Sequence, residues 1–251
     1  MTSRYTKLLE IVNENKRIEV SKLAELLNVS QVTIRKDLDV LCERGLLKRE
    51  HGYAVTTSTS DDINSRLAFN YNIKRKIANL ASELVADGET VMVESGSSCA
   101  LLAEELAYNK KDITIITNSI FIASHIREGN AKVVLLGGDY QPESQVVVGP
   151  LTKKCVEDFF VDKLFVGTDG YNSKIGFTGK NLMRTETVKV MSENANKLII
   201  LTESSKFSER GVVSQFKTEE VDYVITDDNI PKDVLGDLKN KNIEVKMVKV
   251  D

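Results

Sequence analysis

Two clusters of polar side chains in this sequence have types and spacing that could do chemistry. The first is Ser30-Gln31-Val32-Thr33-Ile34-Arg35-Lys36. It gathers amide, hydroxyl and cationic groups at the head of a segment whose Ile34, Leu38 and Leu41 belong to a core. Gln31 and Arg35 can form paired hydrogen bonds with base edges, and Val32 can touch a thymine methyl. Ser30 and Thr33 fall where a helix N-terminus can hold a phosphate, and Lys36 adds charge beside them. The second cluster is Ser95-Gly96-Ser97-Ser98, inside TVMVESGSSCALLAEEL, which reads as strand, tight loop and helix. Hydroxyls, a glycine and helix-terminal amides at one point favour an anion. Neither GxxxxGK nor GxGxxG is present, so a nucleotide is not indicated.

Further polar groups recur where apolar runs end: Thr117-Asn118-Ser119, Gly137-Gly138-Asp139, Thr168-Asp169-Gly170 and Thr202-Glu203-Ser204-Ser205-Lys206. In a parallel sheet such ends share one edge, and open α/β folds bind ligands there. That edge suits a small polyol bearing a phosphate. Lys206 would face the anion, while Asp169 and Asn118 would hold hydroxyls. Ser119, Gly138 and Gly170 complete the expected lining beside Ser95, Gly96, Ser97 and Ser98.

These groups need elements to position them. Tyr5, Leu8, Leu9 and Val12 form one helical stripe, and Val20, Leu23, Ala24 and Leu27 a second. Ile34, Leu38, Leu41 and Cys42 form the third. Ser21 and Ser30 stand in N-cap positions ahead of the second and third stripes. Only Asn28-Val29 separates those two helices, too short a turn for antiparallel packing, so they cross steeply as a helix-turn-helix. Gly45 ends the third helix, and LLKREHGYAV reads as a hairpin turning at His51-Gly52, a wing carrying Arg49 and His51 towards a DNA backbone or minor groove. In a helix-turn-helix the second helix of the pair enters the major groove.

TTSTSDD is polar and poor in apolar residues, hence the linker. After it IKRKIANLASELV is an amphipathic helix. Seven strand candidates follow: TVMVE, ITIIT, KVVLLGG, KLFVGTD, KLIILTE, DYVITDD and EVKMVKV. Most are continuous aliphatic runs, as strands buried on both faces of a parallel sheet must be. The expected architecture is α/β: a winged helix-turn-helix over 1–56, a linker over 57–72, and an open sheet with helices on both sides over 73–251.

Composition narrows the function. With 251 residues, 41% hydrophobic and 28% charged, the chain can bury real cores. No apolar run reaches the roughly 18 residues of a membrane span, and MTSRYTKLLE carries charge where a signal peptide is apolar. These features imply a cytoplasmic protein. Cys42, Cys99 and Cys155 are scattered, no CxxC occurs and there are two histidines, so neither zinc, another cofactor nor a disulfide is expected. Over residues 1–55 ten basic side chains face eight acidic ones, whereas the whole chain carries −3: a mildly basic head on an acidic body.

From Arg4-Tyr5 to Tyr53-Ala54, through VSKLAELLNVS, VTIRKDLDVL and GLLKREHG, the sequence resembles the DeoR family of bacterial sugar regulators. Tyr53 stands where the family usually has a second glycine. ESGSS, ITNS, LLGG, VGTDG and ESSKF resemble the effector domain of the same regulators, similar in fold to ribose-phosphate isomerases, with Glu94 and Glu203 in place of the usual aspartates. The resemblance implies a repressor of sugar uptake or catabolism genes, a recognition helix containing Thr33, Ile34, Arg35, Lys36 and Asp37, and phosphorylated sugars as inducers. Expected partners are double-stranded operator DNA, a small phosphorylated sugar and a second copy or more of the chain, as homodimer or homotetramer. Two other readings stay open at this level. One is a sugar-phosphate isomerase using Asp169, Glu186 and Lys206, with an accessory head. The other is a winged-helix adaptor that does not touch DNA.

Overall fold

The computed structural model describes residues 3–43, 46–56 and 61–250. They form two compact units, Met1–Asn72 and Ile73–Asp251.

In the first unit, α1 (Ser3–Asn15), β1 (Arg17–Glu19), α2 (Val20–Leu26), α3 (Gln31–Glu43), β2 (Lys48–Glu50), β3 (Tyr53–Val55) and α4 (Ile63–Ala68) follow in order. The three stripes close on one core: Leu8, Leu9, Val12, Leu23, Ile34, Leu38 and Leu41 are fully buried, with Tyr5 and Cys42 half-buried beside them. Asn28 takes a left-handed φ of 52° in the short connection to α3. The Ser30 hydroxyl caps α3 by accepting the Thr33 amide at 3.1 Å. Ser21 is not a cap; α2 begins one residue earlier, at Val20, with Glu19 in the N-cap position, and the Ser21 hydroxyl donates to Glu19. The expected stop at Gly45 lies outside the described residues. The wing turns at His51 and Gly52, both with positive φ, the twist a two-residue hairpin requires. β3 is the central strand of three, flanked by β2 and, unexpectedly, by β1. Within the segment read as a linker, Ile63–Ala68 is helical: Asp62 accepts the amides of Asn64 and Ser65, and Ile63 and Leu67 are buried. α4 packs on α1, which gives that apolar face a partner.

The second unit runs α5 (Tyr71–Ser82), β4 (Thr90–Val93), α6 (Ser97–Asn109), β5 (Thr114–Thr117), α7 (Ile120–His125), β6 (Lys132–Leu135), β7 (Asp139–Gln141), β8 (Val146–Val148), α8 (Pro150–Val156), β9 (Val161–Val166), β10 (Gly170–Asn172), β11 (Gly176–Gly179), α9 (Leu182–Glu193), β12 (Ala195–Leu201), β13 (Val213–Phe216), β14 (Tyr223–Asp227), α10 (Lys232–Asn240) and β15 (Glu244–Val248). The seven aliphatic runs make one parallel sheet in the order β15-β14-β12-β9-β4-β5-β6. From β4 the chain steps outward to β5 and β6. It then returns to the far side of β4 and steps the other way through β9, β12, β14 and β15. Right-handed crossovers put the helices of those two series on opposite faces. The order reverses between β4 and β9, and a reversal opens a crevice at the carboxyl ends of the two strands.

Two antiparallel pieces were not expected. One is the hairpin β7–β8; the other is the sheet β10-β11-β13. They leave the parallel sheet after β6, β9 and β12, so each grows from the carboxyl edge. Apart from the three valines of β8, their strands are short and rich in glycine and polar residues, without the longer aliphatic runs that reveal the main sheet.

Candidate functional site

The outer surface of α3 is the first candidate. Gln31, Val32, Arg35 and Lys36 are exposed, with Val32 62% accessible, and Thr33 is half-buried. An exposed valine among exposed cations has nothing to pack on within the head. Asp37, one turn from Thr33, faces inward instead: it is 4% exposed and accepts both donors of the Arg4 guanidinium fork. Its place is structural, fastening α1 to α3. Asp39, a possible i+4 partner of Arg35, pairs instead with Arg49 of the wing at 2.6 Å. Among the described residues neither Arg35 nor Lys36 has an ion-pair partner. The hydroxyls of Ser30 and Thr33 lie 2.9 Å apart and serve the cap. His51 stays exposed at the wing tip. Beside it Arg17 lies over the Tyr53 ring, 4.0 Å from its centroid, and the Tyr53 hydroxyl donates to Glu19.

The second candidate is the reversal crevice. Here the backbones of Gly96 and Gly167 nearly touch: a Cβ on Gly96 would lie 3.3 Å from the Gly167 Cα. Ser95, Ser97 and Ser98 are buried around it, and no side chain caps the N-terminus of α6. The crevice already contains a negative charge. Glu94, 8% exposed, accepts the Ser95 hydroxyl at 2.7 Å, the Gly96 amide at 2.7 Å and the Gly167 amide at 3.2 Å. Part of the nest read from SGSS is therefore occupied by the chain's own carboxylate. What is left for an external anion is the first turn of α6, where the helix dipole is favourable.

The remaining expected residues follow the ends of β5, β6, β9 and β12. Asp169 follows Gly167 and accepts the Lys180 amide at 2.8 Å. Asn118 directly follows β5, the neighbour of β4; its side-chain amide donates to the Val147 carbonyl while its Oδ1, though buried, has no hydrogen-bond partner. Ser119 caps α7, its hydroxyl accepting the Ile122 amide. Lys206 follows β12 and pairs with Glu209 at 2.8 Å, and Lys180 reaches the other oxygen of Glu209 at 3.0 Å. Desolvation pushes the Glu209 carboxyl up, but the hydrogen bonds and charges of the two ammonium groups outweigh it and hold the group below the ordinary carboxylate range. Gly170 packs on the Glu209 carbonyl, and Gly138 lies beyond β6 against Thr152. β12 and β6 are four places apart in the sheet, roughly 19 Å at about 4.8 Å per strand. One monosaccharide phosphate does not span that distance, so Gly138 is not gathered with Lys206.

Two buried groups were not singled out as candidates. Glu203, 3% exposed, lies 3.9 Å from the ammonium of Lys74, itself 5% exposed. Gln215 on β13 donates from Nε2 to the Gly167 carbonyl at 3.0 Å. The ESSKF match pointed towards Glu203. Nothing in the sequence brings Gln215 to the crevice, because the strand that carries it was not legible.

Residues 4–60 match the DeoR-like helix-turn-helix domain, and residues 69–228 match the DeoR C-terminal sensor domain. The chain belongs to the DeoR family. As a member it is a sequence-specific DNA-binding transcriptional regulator of sugar metabolism genes, with a sensor domain. This DeoR-family chain is 29% identical to the HTH-type transcriptional regulator GolR of Listeria innocua, over 97% of each chain. It is 28% identical to the putative aga operon transcriptional repressor of Escherichia coli O157:H7, over 98% of this chain and 94% of that one. Against the HTH-type transcriptional regulator GlpR of Haloferax volcanii it is 30% identical over 96% of each. Among solved structures, ribose 5-phosphate isomerase A of Methanocaldococcus jannaschii aligns over 55% of each chain with a TM-score of 0.41 and 22% identity. Among the described residues no helix is long and apolar enough to cross a membrane.

Proposed function

We propose that this DeoR-family regulator is a repressor that binds operator DNA through α3 and the wing, and that a small phosphorylated sugar releases it. The observation that carries the reading is the crevice between β4 and β9. It joins buried serine hydroxyls, an uncapped helix N-terminus and a carboxylate already turned to the backbone, a combination suited to a ligand with an anionic end and a hydroxylated end. Lys206, Asp169 and Asn118 border it from neighbouring strands. The Escherichia coli relative, named as an operon repressor, supports the sign of control. A head presenting one recognition helix reads one half-site, so the active form is a homodimer or homotetramer on a two-fold operator.

Release follows from linkage. If the sugar phosphate and the operator prefer different arrangements of the protein, each weakens the other by the same factor. Coupling of about 1–3 kcal/mol corresponds to a roughly 5- to 150-fold change in operator affinity. The test is fluorescence anisotropy on a duplex from the promoter of the protein's own transcript, with pentose, hexose and alditol phosphates added singly. A saturable loss of binding with one of them is expected. No complex at low ionic strength, or a complex that no sugar phosphate weakens, overturns the reading.

A further inference from the structure

Among the described residues, four buried groups near the carboxyl edge of the sheet have side-chain oxygens with no hydrogen-bond partner: Asn118 Oδ1, Gln215 Oε1, Thr226 Oγ1 and both oxygens of Glu203, the last 3.9 Å from the Lys74 ammonium. Buried polar atoms are nearly always paired, so an orphan in a site calls for an explanation. Three of them, Asn118, Gln215 and Glu203, share one chemical character: their free oxygens are acceptors, whereas the Thr226 hydroxyl can also donate. What complements them is a row of donors, which a sugar or alditol supplies through its hydroxyls and a phosphate dianion does not.

Gln215 is the most informative of the three. Side chains alternate along a strand, and its neighbour Phe216, 2% exposed, fills the hydrophobic core with Tyr171 and Phe177. Gln215 therefore faces the other way. Its Nε2 is held by the Gly167 carbonyl at 3.0 Å, and the Gly167 amide is in turn held by Glu94. That chain fixes the amide plane and leaves Oε1 as the acceptor. An aliphatic side chain would fill a position only 6% exposed without leaving an unpaired oxygen. Asn118 offers its own unpaired carbonyl from β5, on the far side of β4.

We propose that Gln215 is a specificity-determining residue of the sensor crevice, its Oε1 accepting a hydrogen bond from a hydroxyl of the bound sugar phosphate. This rests on the effector reading above. It also sets the ligand's orientation: the hydroxylated end faces Gln215 and Asn118, and the phosphate faces the first turn of α6 and Lys206. Since the amide is pinned by the backbone, it discriminates by the position of one hydroxyl and contributes nothing to a bare anion.

The test is calorimetric titration of the full chain with the sugar phosphate that releases DNA, its monodeoxy analogues and inorganic phosphate. Gln215→Met keeps the bulk and removes the acceptor. It is expected to weaken the sugar phosphate about tenfold, the scale of one hydrogen bond, without changing affinity for inorganic phosphate or for ligand-free operator. One deoxy analogue is expected to show a similar loss with the parent and no further loss with Q215M, the coupling expected of a direct contact. Gln215→Asn, which keeps the amide but withdraws it by one methylene, covers the case of a misfolded Q215M and is expected to behave alike. Unchanged affinity in both variants, or equal deoxy penalties at every hydroxyl in parent and variant, overturns the proposal while the effector reading survives. If the parent binds no sugar phosphate at all, both fall.

Discussion

Arg4 on α1 holds both carboxylate oxygens of Asp37 on the buried side of α3, at 2.5 and 2.9 Å. The helix that presents Gln31, Arg35 and Lys36 outward is thus anchored from behind by this ion pair. Arg4→Ala leaves Asp37, 4% exposed, without its counter-charge. The melting temperature of the protein is expected to fall and operator affinity to fall with it. Arg4→Lys is expected to restore only part of both, because an ammonium cannot reproduce the guanidinium fork. Thermal unfolding and anisotropy on the same samples check this; unaltered melting in Arg4→Ala contradicts it.

Arg35 and Lys36 are separable by salt. If Arg35 reads a base edge, Arg35→Ala costs about 1–3 kcal/mol on the operator and relaxes preference at one base pair. Lys36→Ala is expected to weaken specific and random duplexes alike and to lower the slope of log affinity against log salt by about one phosphate contact. Equal behaviour of the two variants across a salt series would contradict this division of roles.

Lys206→Ala is expected to leave ligand-free operator binding at the parent level and to abolish release by sugar phosphate. Anisotropy with and without the effector is the measurement. A variant that still releases normally assigns the anion to other groups.

The Glu209 carboxyl gives a pH prediction. Its folded pKa is depressed, so its contribution to stability is present above the ordinary carboxylate pKa and is lost as pH falls through the lower folded value. Lys180→Ala removes one of the two ammoniums while desolvation stays, so the carboxyl is expected to titrate at higher pH. Carbon-detected NMR of the Glu209 carboxyl follows this directly, and the acid limb of the unfolding curve is expected to move up in pH with it. A titration midpoint that does not move would show that Lys206 alone holds the group.

Gly138 has a φ of 151°, and a Cβ there would meet Thr152 Oγ1 at 1.9 Å and the Val148 carbonyl at 2.6 Å. Gly138→Ala is expected to cost at least about 1 kcal/mol, since alanine is strained at such a backbone and the contact leaves no room. Urea denaturation measures it. Sugar-phosphate affinity is expected to hold, because this glycine serves the packing of the loop on α8.

The inner strands of the main sheet were legible because they are aliphatic runs buried on both faces, a pattern that survives without tertiary information; the edge strands β6 and β15 are only partly buried. The head was legible for a related reason: stripes at helical spacing, a two-residue turn, and a His-Gly pair that only a hairpin tip uses. β1 was hidden because three residues with Ile18 as their lone apolar member carry no period. α4 was hidden because its partner, the outer side of α1, is a tertiary fact. At the site, SGSS lies at the reversal crevice, but Glu94 takes the Gly96 amide and the Ser95 hydroxyl that the pattern offers an anion. Ser119 was read as a ligand residue, and the fold gives its hydroxyl the further task of capping α7. Gln215 showed no signal at all, since what matters is one hydrogen bond to Gly167, forty-eight positions earlier in the chain.

β2 is an outer strand of the wing, and Lys48, Arg49 and Glu50 on it are all exposed. A bare strand of this kind invites pairing with another molecule, and closely spaced charges discourage that. The charges of Lys48, Arg49 and Glu50 thus act as a guard against one wing zipping onto another, so neutralising them is expected to threaten solubility.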